Sequence, residues 1–250
     1  MKKQLIIAIA ILAQAVTFAS AQEISRSAIS YWDRAGASYA KGDFKAAIAD
    51  YDTAIAFAPN CAALYLGRAA ARKDRGDLQG AVADYDKAIE LDPRSAEGYY
   101  NRGTVLYSKG VLDKAIADYD KAIEIKPRWA WAYTNRGAVW YAKGDLDRAI
   151  ADYSQALRLD SRLANAYNNR GLARLDKKDL SGAIKDADTA IEINPRFAQA
   201  YATRGFARLL EGKIAEAERE FAQSIKLDHS LKALIDKRAE ELKSQMMIKQ

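Results

Sequence analysis

Three series of side chains recur in this chain at a spacing of 34 residues, and their types decide what chemistry is open to it. Asn101, Asn135 and Asn169 form one series; an amide both donates and accepts, which suits the backbone of an extended peptide or a sugar hydroxyl. Arg34, Arg68, Arg102, Arg136, Arg170 and Arg204 form the second. Asp50, Asp84, Asp118, Asp152, Asp186 and Glu220 form the third, each sixteen residues after an arginine. A guanidinium and a carboxylate at one constant offset predict an ion pair that bridges two elements and fixes their register. Candidates for catalysis are sparse. His229 is the only histidine and Cys61 the only cysteine, which excludes a histidine-cluster metal site and a Ser-His-Asp triad with any redundancy, and a lone cysteine without a positioned histidine gives no thiol nucleophile. Acidic doublets such as Asp84/Asp86 and Asp118/Asp120 repeat with the same period and belong to a scaffold. No enzyme activity, metal or cofactor is expected.

The period itself identifies the elements that position these groups. Tyr31, Tyr65, Tyr99, Tyr133, Tyr167 and Tyr201 are evenly spaced, as are Pro59, Pro93, Pro127 and Pro195. Repeats begin at Ala28, Ala62, Ala96, Ala130, Ala164 and Ala198, and each holds two blocks of apolar or small residues at helical spacing. In the third, Tyr99, Gly103 and Leu106 make one stripe and Ala115, Tyr119 and Ala122 the other. Gly42, Gly76, Gly110, Gly144 and Gly212 fall where a left-handed residue ends the first helix, and Asp43, Asp77, Asp145 and Asp179 follow as caps for the second. The prolines end the second helix. Small residues at the eighth position and at Ala47, Ala81, Ala115, Ala149, Ala183 and Ala217 let the two helices approach closely. The fifth repeat departs from the pattern: Lys178 replaces the glycine and Ala187 the aromatic seen at Tyr51, Tyr85, Tyr119, Tyr153 and Phe221, which predicts strain and looser packing there. Ser161 and His229 replace proline.

Small residues at positions eight and twenty, aromatics at four and twenty-four and proline at thirty-two resemble the tetratricopeptide repeat, or TPR, over residues 28–229. Tyrosine stands here for the commoner tryptophan at position four, and arginine for the leucine at position seven. The resemblance implies an all-α, right-handed α-solenoid of six helix-turn-helix repeats whose first helices line a concave groove. It also implies that positions two, five, six, nine, twelve and thirteen face that groove. These carry Tyr100, Asn101 and Tyr107 in the third repeat, Trp131, Asn135 and Tyr141 in the fourth, and Asn165, Asn168 and Asn169 in the fifth. Aromatics supply stiff contact area. The Asn101–Asn135–Asn169 series is similar to the asparagine ladder that lines some TPR superhelices. Two readings stand for it, ligand binding and satisfaction of local backbone groups. Positions two and five carry no lysine, so the carboxylate clamp of chaperone-binding TPR domains is not matched.

Outside the repeats, Lys2 and Lys3, the apolar run Leu5–Phe18 and Ala19-Ser20-Ala21 have the order of a secretory signal peptide, with cleavage after Ala21. Its removal lowers the formal net charge of +6 by two, a mild excess that gives little support to a nucleic-acid partner, and export makes one less expected still, so none is expected. Residues 22–27 form a short lead. In 230–250, Leu231, Leu234, Ile235, Leu242 and Met246 form an amphipathic stripe, expected as a helix that caps the last repeat. A second arginine row, Arg94, Arg128, Arg162 and Arg196, either lines an edge for acidic partners or stands solvated in loops. The expected function is an exported, periplasmic or cell-envelope scaffold that holds an extended peptide or helix of another protein in the groove. The alternatives are a peptidoglycan-binding module that stacks sugars on Trp131, Tyr100 and Tyr141, or a self-associating structural protein. No transmembrane span is expected in the mature chain.

Overall fold

The computed structural model describes residues 26–247; the expected signal peptide and its cleavage site lie outside them. All regular structure among the described residues is helical. The first of two compact units, Met1–Val111, contains α1 (Arg26–Ala40), α2 (Phe44–Phe57), α3 (Ala62–Asp74), α4 (Leu78–Leu91) and α5 (Ala96–Ser108). The second, Leu112–Gln250, contains α6 (Leu112–Ile125), α7 (Ala130–Ala142), α8 (Leu146–Leu159), α9 (Ala164–Asp176), α10 (Leu180–Ile193), α11 (Ala198–Leu210) and α12 (Ile214–Leu227). A 3-10 turn, His229–Leu231, and α13 (Lys232–Met247) complete it. Within each unit consecutive helices pack on one another as helix-turn-helix repeats.

The turn chemistry is as the sequence predicts. The Asp43, Asp77, Asp145 and Asp179 side chains accept from the backbone N–H groups of Ala46, Gly80, Arg148 and Gly182 at 2.9–3.0 Å. Lys178 has φ 67, the one non-glycine residue with positive φ among those described. The left-handed region costs a side chain on the order of 1 kcal/mol. Lys178→Gly is therefore expected to raise the stability of the chain by about 0.5–1 kcal/mol, seen as a higher melting temperature; an unchanged or lowered one would contradict the strain.

The tyrosines at position four have a use that tryptophan does not share. The Tyr65, Tyr133 and Tyr201 hydroxyls donate to the carbonyls of Pro59, Pro127 and Pro195 at 2.9–3.3 Å, tying the inter-repeat loop to the next first helix. The repeat arginine lies over the same ring, from 4.7 Å at Arg34 over Tyr31 to 5.6 Å at Arg136 over Tyr133. The core is built from alanines closed by large rings. In the first unit Ala35 and Ala47 pack with Tyr51 and Leu64, and Ala69 and Ala81 with Tyr85. In the second, Ala149 packs with Tyr153 and Ala173.

Each predicted arginine–acid pair within a single unit forms. Arg34, Arg68, Arg136 and Arg170 grip Asp50, Asp84, Asp152 and Asp186 through Nε and Nη2 at 2.5–2.9 Å, and Arg204 reaches Glu220 at 2.8 Å. The acids are buried. The arginine also reaches sixteen residues backward: Arg68 to Asp52, Arg102 to Asp86, Arg136 to Asp120 and Arg204 to Asp188, at 2.5–2.6 Å. One guanidinium thus joins the second helices of two successive repeats, and a doublet such as Asp84/Asp86 serves two different arginines. At Arg170 the backward partner is the Ser154 hydroxyl, at 3.1 Å. A second arginine, Arg72, Arg174 or Arg208, adds to the buried acid in three repeats.

One expectation about α13 needs correction, and its role as the cap of the last repeat stands. Its buried face is Ile235, Ala239 and Leu242, while Leu234 is 63% exposed; the side chain of Met246 lies outside the described part. The helix packs on α11, and its buried residues share a core with Leu175, Phe206 and Leu209, on the first helices of the last two repeats.

Candidate interaction face

The candidate face is made by side chains of the first helices. In the second unit, α7 and α9 are first helices of consecutive repeats. Trp131 on α7 is 44% exposed, one of the few large apolar side chains left open to solvent. Asn135 lies one turn along the same helix and is partly buried, as are Asn165 and Asn169 on α9. Tyr141, at the end of α7, donates its hydroxyl to Asp176 Oδ2 at 2.5 Å across to the end of α9. Burial, and then that hydrogen bond, push the Tyr141 phenol up to about 12, so it stays a neutral donor at ordinary pH. Trp140 faces away from this set, between Arg148, 4.4 Å from its ring, and Lys143 at 5.6 Å.

Asn168 does not join the face. It is 3% exposed, and its Oδ1 accepts from the Thr203 hydroxyl at 2.8 Å on α11. Thr134 holds the equivalent place on α7 and is buried too, donating to the Ala130 carbonyl. The fifth position therefore packs between first helices when its side chain is small and polar. In the first unit, Tyr100, Asn101 and Tyr107 are all partly buried on α5. The equivalent of Tyr141 there is Tyr39 on α1, which hydrogen-bonds Asp74 on α3 and is likewise raised to about 12, chiefly by burial.

The far end of the second unit's face is covered. On α11 the groove positions hold Ala202, Phe206 and Leu209, all buried in the core that includes α13. Arg238 of α13 lies over the Phe206 ring at 5.1 Å and pairs with Asp176 Oδ1 at 2.7 Å. Asp176 thus takes Tyr141 on one oxygen and Arg238 on the other.

The second arginine row sits in turns. The backbone N–H groups of Arg94, Arg162 and Arg196 donate to Asp92, Asp160 and Asn194 two residues earlier, and their side chains are exposed. Among the described residues there is no group of three or more histidine, cysteine or carboxylate side chains able to hold a metal, and no helix long and apolar enough to cross a membrane.

Sequence reasoning missed the backward acids, the Tyr–Asp links and the seat of α13. The first could have been found by testing offsets of sixteen in both directions, and the second from Asp74 and Asp176, each 35 residues after a tyrosine.

No curated protein matches the chain significantly. Solved structures share its fold. MamA is 26% identical, with a TM-score of 0.58 over 64% of this chain and 93% of that one. YrrB, described as a TPR protein with an unusual peptide-binding site, is 23% identical, with a TM-score of 0.60 over 75% of this chain and 97% of its own. PilF of Pseudomonas aeruginosa is 16% identical, with a TM-score of 0.73 over 83% and 94%. Sequence profiles described as TPR repeat match residues 69–110, 103–144 and 139–178, and one described as tetratricopeptide repeat matches 164–197. The matched residues run from 69 to 197, just over half of the chain, and across them lie the helical hairpins, arginine ladder and alanine-on-ring packing seen above. The chain belongs to the tetratricopeptide-repeat family, whose general role is that of a non-catalytic scaffold for protein–protein interaction.

Proposed function

We propose that the second unit binds an extended segment or a helix of another protein across α7 and α9, and that the protein does so after export, in a periplasm or cell envelope. The observation that carries this reading is the exposure of Trp131 beside the partly buried amides of Asn135, Asn165 and Asn169. A large ring that is left open provides contact area at low entropic cost. Amides beside it can pair with a peptide backbone. Export rests on the order of charged, apolar and small residues in 1–21.

The test is a peptide array probed with the wild-type chain and with Asn135→Ala/Asn169→Ala. Loss of two amide contacts at about 1 kcal/mol each predicts at least a tenfold weaker interaction, with the helical circular dichroism unchanged. Equal binding by the variant removes the amides from the site. Retention on purified peptidoglycan with no array binding would replace the peptide by a glycan that stacks on Trp131.

A further inference from the structure

In sequence register α13 is the first helix of a seventh repeat. Ile235, Arg238 and Ala239 stand 34 residues after Tyr201, Arg204 and Gly205. Arg204 reaches back to Asp188, and the same step from Arg238 arrives at Ala222, which has no carboxylate. The ladder has no rung for α13. The helix is turned instead by His229–Leu231, where four of the five earlier repeats have a proline loop, and Arg238 finds Asp176 at the end of α9. Its apolar residues then lie against the groove positions of the last two repeats.

That part of the groove differs in chemistry from the part on α7. Positions nine and twelve carry Leu172 and Leu175 on α9 and Phe206 and Leu209 on α11. Leu175, Phe206 and Leu209 are no more than 2% exposed, and Ile235, Ala239 and Leu242 no more than 9%. The cover is incomplete. A shallow, solvent-open cleft of about 440 Å³ lies between the end of α9 and α13, lined by residues that include Asp176, Lys178, Arg238 and Leu242. The polar clasp is the Arg238–Asp176 pair, in which both side chains keep about a third of their exposure, a geometry of modest strength.

We propose that the apolar face of α9 and α11 is a helix-binding site held by α13, and that an amphipathic helix of a partner protein takes the place of α13 there. The occupant has apolar residues at i, i+4 and i+7 and a basic residue at i+3, the pattern of Ile235, Ala239, Leu242 and Arg238. A tethered helix competes at an effective concentration in the millimolar range, so α13 holds the site closed to weak ligands and yields to a strong one. The inference rests on the reading of the first helices as a binding surface, and it names both the partner class and the residues that receive it.

The probe is a labelled synthetic peptide of residues 232–247, titrated by fluorescence anisotropy into the full chain. The full-length variant Ile235→Asp/Leu242→Asp detaches α13 without altering the receiving face. It is expected to bind the peptide at least tenfold more tightly than wild type, and a scrambled peptide is expected not to bind. Arg238→Glu, a single change at the partly exposed clasp, serves where the double variant folds poorly and predicts the same direction. Asp176→Lys added to the detached Ile235→Asp/Leu242→Asp chain should weaken binding of the native peptide and restore it for a peptide carrying R238E. Equal binding by wild type and detached variants, binding of the scrambled peptide, or no binding by a detached variant that keeps its helicity would overturn the proposal. Array binding through Asn135 and Asn169 uses other residues, so either site can fail while the other stands.

Discussion

Replacing Arg136 by alanine is expected to destabilise the chain by about 3 kcal/mol. Two N–H groups of this guanidinium meet Asp152 at 2.7–2.8 Å and a third meets Asp120 at 2.6 Å. The side chains of Arg136 and Asp152 are 21% and 9% exposed. Hydrogen bonding to Asp152, the largest cause, raises the guanidinium pKa further above its ordinary value, so it is charged at every accessible pH. Asp84 and Asp186 each have a second arginine, whereas the place of that arginine in the fourth repeat is held by Trp140. Removing Arg136 therefore strands a buried carboxylate and cuts the link to the preceding second helix in one step. Arg136→Lys keeps the charge but not the fork, and should recover only part of the loss. Urea denaturation of Arg136→Ala, Asp152→Ala and the double variant measures the coupling. Strict additivity of the two single changes would show that the pair contributes nothing as a pair.

Gly205→Ala is the second large effect, a net loss of about 1–2 kcal/mol. A Cβ at Gly205 would stand 2.6 Å from the Phe221 ring and 3.1 Å from Glu220 Cβ. Phe221 is itself wedged against Phe206, ring centroids 5.0 Å apart, so it has nowhere to retreat. The helical gain of alanine over glycine offsets only part of the cost. Gly171 is the control. The aromatic expected opposite it is Ala187, and a Cβ there would meet its nearest atoms at 3.3–3.4 Å: the Ala183 carbonyl, Asp186 Cβ and Thr203 Cγ2. Thr203 of the next repeat, and no ring, is what the added methyl would meet on that side. Gly171→Ala should be close to neutral in the same melting experiment; equal losses at the two glycines would contradict ring contact as the cause.

The regular part of this fold was legible because every repeat states it again. Caps, helix-ending glycines and the forward ion pair follow from residue type and offset, and the structure places them accordingly. What was not legible depends on the absence of a partner. At α13 the signals lie partly on other elements: the step of sixteen back from Arg238 meets Ala222, which has no carboxylate, and His229 stands where a proline ends most earlier second helices. Asn168 and Asn169 are adjacent and chemically identical, yet one is sealed against Thr203 and the other is partly open, a distinction set by helix rotation and by the hydroxyl on α11. Of the proposed face, residue types were readable at Trp131 and Asn135, but the cover over the neighbouring repeats was not.

The serine beneath Arg170 gives the chain an uneven response to its medium. At α3, α5, α7 and α11 the backward arm of the ladder ends on a roughly half-exposed carboxylate, and dissolved ions weaken such an attraction over a Debye length of about 8 Å at physiological ionic strength. Between α8 and α9 the arm ends on a neutral hydroxyl, where there is little charge to screen. In dilute buffer that arm contributes the least electrostatic attraction of the five. As salt is added the other four arms weaken toward it, and the ties between successive repeats become more even in strength.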